Sequence, residues 1–126
     1  MDVTPVIPAG KQVLERYGTE GFRVSGVIYP GAILLFPDET LAWAPRSMAE
    51  VGEDSLAPVI ARGGVEILLL GCGRRMAMVP SALRARLKAA GIVVDAMDTG
   101  AACRTYSVLL AEGRRVAAAL LPVTAE

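Results

Sequence analysis

Three nearly unbroken apolar runs dominate the second half of this 126-residue chain: VEILLL (65–70), IVVDAM (92–97) and VAAALLP (116–122). Each is six or seven residues long, too short for a buried helix and far below the ~20 residues that span a bilayer. A strand that is apolar at successive positions must bury both faces, so helices have to cover the sheet on two sides. The intervals between the runs supply them. Over 81–90, Leu83, Leu87 and Ala90 share one face, Arg84, Arg86 and Lys88 lie elsewhere, and Gly91 stops the helix. A second helix is predicted over 99–112, with Thr99 as its cap and Gly113 as its stop. Strand–helix–strand–helix–strand is the pattern of an α/β fold, with the first two runs parallel and joined by a right-handed crossover.

The first half is patterned differently. Residues 1–11 hold Pro5, Pro8 and Gly10 and read as an irregular arm. Short strands follow at QVLERY (12–17), FRVSGVI (22–28), AILLF (32–36) and TLAWAP (40–45), punctuated by Gly18 to Gly21, Tyr29-Pro30-Gly31 and Pro37-Asp38-Glu39. After Pro45, Asp54 is placed to cap a helix over 54–61 that Gly63-Gly64 would end. The expectation is one compact α/β domain over 1–126, with a mixed central sheet, helices packed on it and an N-terminal strand meander.

Composition acts mainly by exclusion. Thirteen basic residues balance thirteen acidic ones, unlike the basic excess of a general nucleic-acid binder. Histidine is absent, which removes Ser-His-Asp and Cys-His catalysis and histidine-ligated metals. Two cysteines are too few for a disulfide scaffold or a self-contained zinc site. No catalytic constellation, metal or cofactor is therefore expected. The start MDVTPVIPAGK has no basic segment followed by an apolar one, so a cytoplasmic location is expected.

Two segments remain as candidate sites. Gly71-Cys72-Gly73 follows a buried strand, where a dinucleotide-binding turn would begin. But Met76 stands where G-x-G-x-x-G needs its third glycine, and Arg74, Arg75 and Pro80 delay the helix. A tight turn is the plainer reading, and an anion near Arg74 and Arg75 the sharper one. If 65–70 and 92–97 pair in parallel, their carboxyl ends bring this turn beside the 99–112 helix start, where open α/β sheets bind ligands. That defines a candidate ligand set of Gly71, Cys72, Gly73, Arg74, Thr99, Cys103 and Arg104. Cys72 and Cys103 would then be either a redox pair or two small buried hydrophobes.

Plotted at about 100° per residue, the last helix centres its apolar arc on Ala102 and Leu109. Ala101, Thr105 and Tyr106 lie within the arc and Cys103 and Leu110 on one shoulder, while Arg104, Ser107 and Ala111 face away. The arc is about 200° wide against the ~100° of a helix that covers one sheet face. Another layer or another protein must touch it. Arg104, Tyr106 and Ser107 are accordingly candidate partner contacts.

Three segments, GFRVSGVIYPGAILLFPDETLAWAP, VEILLLGCG and VVDAMDTGAACRTYSVLLAEGRRVAAALLP, together resemble the Mth938-type domain family over about residues 12–123. The matching positions are Gly71, Gly73, Thr99, Ala102, Thr105, Tyr106, Glu112, Gly113 and Arg114. Cys72 and Ser107 stand where the family commonly has threonine and asparagine. The resemblance implies a mixed sheet between layers, with the last strand inserted centrally and antiparallel to its neighbours. Mitochondrial members of that family assist assembly of respiratory NADH:ubiquinone oxidoreductase, and the family carries no catalytic residues to transfer. It implies a non-enzymatic protein-binding domain whose partner is a respiratory-complex subunit or another assembly factor, with homo-oligomerisation as a further arrangement. The alternative is a small-anion or nucleotide binder or enzyme that uses the crevice at Gly71–Gly73 and the helix start at Thr99.

Overall fold

The computed structural model describes residues 9–124, so the arm predicted over 1–11 lies outside the described residues up to position 8. Five short strands come first: β1 (Leu14–Tyr17), β2 (Gly21–Val24), β3 (Val27–Pro30), β4 (Ile33–Phe36) and β5 (Glu39–Ala42). After a single 3-10 turn come α1 (Glu53–Arg62), β6 (Ile67–Gly71), α2 (Ser81–Ala89), β7 (Val93–Met97), α3 (Thr99–Ala111) and β8 (Val116–Leu120). This is the expected α/β order, but the meander divides. β1–β2–β3 form a small antiparallel sheet, whereas β4 and β5 join the central sheet in the order β5-β4-β8-β6-β7.

FRVSGVI folds as a hairpin and not as one strand. Ser25 and Gly26 both take positive φ, 46° and 85°, and a two-residue turn with that backbone matches the strand twist of a tight hairpin. Val24 and Val27 close it. The last strand does enter the centre of the sheet. It runs antiparallel to β4 and parallel to β6, so the expectation that it opposes both neighbours is corrected. A helical crossover (α3) from β7 returns the chain in the direction of β6, while the β4–β5 hairpin meets its other edge from the opposite sense.

Side chains alternate across the central sheet and separate two cores. Leu68, Leu70, Ala117, Ala119 and Leu121 face Leu56 and Val59 of α1 and Leu83 and Leu87 of α2. Leu69, Val116, Ala118 and Leu120 face Ala102, Cys103, Tyr106 and Leu110 of α3, together with Leu14, Phe22 and Val24 of the small sheet. Every residue of β8 is buried, and its three alanines let both layers approach closely. The small sheet is thus the extra layer that the wide arc of the last helix required. α1 starts one residue earlier than expected. Gly52 is its cap, with its N–H donating to the Ser55 hydroxyl at 3.0 Å, and Asp54 sits inside the first turn, where its charge suits the helix dipole.

Candidate functional site

The parallel pairing of β6 with β7 brings the turn after β6 and the start of α3 together, as the sequence predicts. What forms there is a closed junction. Thr99 is the hub: its hydroxyl donates to Leu121 O at 2.5 Å and accepts from Gly73 N–H at 2.8 Å. Its own N–H donates to Gly73 O at 2.8 Å, Leu121 N–H donates to Gly71 O, and Cys72 N–H donates to Met97 O. Thr99 is fully buried. A Cβ on Gly71 would lie 2.8 Å from Leu120 Cδ2 and 3.1 Å from Thr99 Oγ1. Glycine stands there because the helix start rests on the strand end, and not to admit a phosphate.

Three N–H groups of the first turn of α3, those of Thr99, Ala101 and Ala102, are taken by the chain itself. Asp98 is the cap, with its Oδ1 accepting from Ala101 N–H at 2.9 Å, and its carbonyl accepts from Ala102 N–H. Thr99 is therefore the first helical residue, and its assignment as the cap is corrected. An anion held by this terminus would need several free N–H groups together, and these three are already engaged.

The two thiols are separated by the sheet. Cys72 belongs to the core under α1 and α2, and Cys103 to the core under α3. Both are buried and free, and burial pushes both thiols above the ordinary range. Of the two readings, small buried hydrophobes is the one the structure gives; the shared crevice and the redox pair are not there. Tyr106 is fully buried and Ser107 is 3% exposed, so neither is available as a surface contact. Ser107 lies on the buried side of α3 with Cys103, Tyr106 and Leu110. Arg104 is exposed, and its Nη1 donates to the Tyr17 hydroxyl at 3.2 Å. Gly100 makes room for this pair: a Cβ there would meet Tyr17 Oη at 3.0 Å and Arg104 Nη1 at 3.3 Å. Arg74 is exposed in the loop between β6 and α2.

Sequence reasoning missed three features. Asp98 could have been found, since aspartate directly before a helix is a preferred cap. Tyr17 had no signal, because its contact with Arg104 spans the whole fold. Met76 and Met78 are 58% and 82% exposed, and nothing in their apolar letters signals it. A groove of about 410 Å³ lies on the small sheet, bordered by Tyr17, Arg23, Ile28, Tyr29 and Pro30.

Residues 14–121 match the family model described as a protein of unknown function, DUF498/DUF598. The chain belongs to this family. The solution NMR structure of a Mth938-like domain from Bordetella pertussis superposes on it with a TM-score of 0.80 at 29% identity, covering 100% of this chain and 95% of that one. This Mth938-like chain is 39% identical to an uncharacterised protein of Rhodobacter capsulatus, over 91% of its own length and 88% of the relative's. It is also 32% identical, over 87% of its length, to NADH dehydrogenase [ubiquinone] 1 alpha subcomplex assembly factor 3 of Danio rerio. It spans 64% of that assembly factor. Among the described residues, no helix is long and apolar enough to cross a membrane.

Proposed function

We propose that this chain is an assembly-factor-like domain that works by binding protein partners, in the cytoplasm, and carries out no chemistry of its own. The observation that carries the reading is its 32% identity to a complex I assembly factor over 87% of its length. The closed Gly71–Thr99 junction supports the same reading. The place where an α/β sheet ordinarily holds a ligand is filled by Thr99, Leu120 and Leu121. What then remains for recognition is surface. The partner is a subunit of a respiratory NADH dehydrogenase or a second assembly factor.

The test is genetic and biochemical together. A strain lacking this chain should accumulate incomplete NADH dehydrogenase, and tagged chain should retain a subunit of that complex on affinity capture. Normal complex levels in the deletion strain would overturn the proposal. A ligand-dependent thermal shift across nucleotides and carboxylates should be flat; a shift abolished by Arg74→Ala would argue instead for anion binding beside the turn.

A further inference from the structure

β7 closes one side of the central sheet, and among the described residues no strand lies beyond it. Its hydrogen-bonding geometry is fixed by the parallel ladder. Val93 N–H donates to Glu66 O and Cys72 N–H to Met97 O, so positions 93, 95 and 97 face β6. Alternation then turns the N–H and C=O groups of Val94 and Ala96 toward the open side. Arg84 of α2 reaches over and donates to Val94 O at 2.9 Å. The side chains of Val93 and Asp95 project to one face, both exposed, Val93 by 64%.

The edges formed by β3 and β5 are less receptive. β3 finishes at Pro30, which has no N–H to offer. β5 has four residues, and its Thr40 hydroxyl donates to Gln12. β7 has five residues and no proline.

A second copy of the chain is a poor occupant. A two-fold antiparallel pairing that uses both Val94 and Ala96 on each chain sets Asp95 opposite Asp95, at a site where Cα atoms approach to about 4.5 Å. Like charges directly opposed destabilise a strand pair. Shifting the register to centre on Val94 requires Ile92, whose N–H is already held by Leu87 O.

We propose that β7 is a docking edge for an extended segment of a protein partner, one that sets a basic side chain opposite Asp95 and an apolar side chain opposite Val93. The inference rests on the protein-binding reading above and names the chemistry of its partner. Main-chain hydrogen bonds to Val94 and Ala96 supply the attachment, and the two side-chain positions supply the selectivity. Arg84 holds the Val94 carbonyl until the strand arrives.

The probe is the capped peptide Thr-Val-Thr-Lys-Thr-Ile-Thr, titrated into ¹⁵N-labelled protein. The Val94 and Ala96 amide signals should shift, and their hydrogen exchange should slow at least about tenfold at saturation. Asp95→Lys should abolish binding of this peptide and restore it for the glutamate version, with Trp43 fluorescence showing that the variant stays folded. Arg84→Ala, which frees the Val94 carbonyl, should tighten binding several-fold. Unshifted Val94 and Ala96 signals, or binding indifferent to Asp95→Lys, would overturn the proposal. So would protection of Val94 in a dimer of the chain alone. Failure here alongside defective complex assembly in the deletion strain would remove the docking edge and leave the proposed function standing. Binding without that defect would do the reverse.

Discussion

Thr99 and Gly71 carry the junction between strand end and helix start, and each is tested by one methyl-sized change. Thr99→Val keeps the shape but strands Gly73 N–H and Leu121 O, both of which use the hydroxyl. Urea unfolding followed by Trp43, the one tryptophan, should show a loss of about 2–3 kcal/mol, the cost of unsatisfied buried polar groups. Gly71→Ala pushes a Cβ against Leu120 and Thr99 and should cost about 1–3 kcal/mol by overpacking. Tyr106 is the contrast. Its buried hydroxyl has no hydrogen-bond partner among the described residues, so Tyr106→Phe should stay within about 1 kcal/mol of wild type. Burial raises the Tyr106 phenol and the Cys103 and Cys72 thiols above their ordinary values. The native state therefore keeps protons that the unfolded chain releases above about pH 8.5 for cysteine and 10 for tyrosine. Fewer protons on the unfolded state means that stability falls as pH rises. This contribution is complete below about pH 8 and is lost progressively above it. Tyr106→Phe should flatten the decline above about pH 10; an unchanged alkaline limb would contradict the assignment.

At the level of elements, the second half of the chain was largely legible. β6, β7 and β8 are the three apolar runs, and α2 and α3 fill the intervals, because helix and strand periods are written in which positions are apolar. Gly113 takes the positive φ that a helix stop uses. The hairpin at Ser25 was not legible, since a left-handed serine has no pattern of its own and the alternation of FRVSGVI runs straight through it. The wide arc of α3 showed that a second surface must touch the helix, but not which one. The small sheet supplies it through Leu14 and Phe22, contacts formed between parts of the chain far apart in sequence. The same remoteness turned Ser107 from an outward residue into a buried one. Asp98 is the cap of α3. Asp98→Ala should lower stability by about 1 kcal/mol in urea unfolding, with the larger Thr99→Val effect marking the difference between a cap and a hub.

For the whole molecule, the layers determine what kind of work is open to it. α1 and α2 cover one face of the central sheet, and α3 with the small sheet covers the other. The strand ends that host ligands in related architectures are sealed by the chain's own hydrogen bonds, and the two thiols lie in different cores. Fold class was legible from the apolar runs and the helices between them, and the family from three long segments of which Met97 to Val116 is the most specific, while the closing of the crevice was not. It depends on how near Thr99 comes to Gly71, a distance that spacing does not encode. On the proposed function, this chain binds a partner during assembly of a respiratory NADH dehydrogenase. The most direct measurement is the native-gel level of that complex in a deletion strain complemented with wild type or with the Cys72→Ala, Cys103→Ala double variant. The complex should be depleted in the deletion strain and recover with both. Undiminished complex in the deletion strain would contradict it, and rescue by wild type alone, with the double variant folded, would return the thiols to the mechanism.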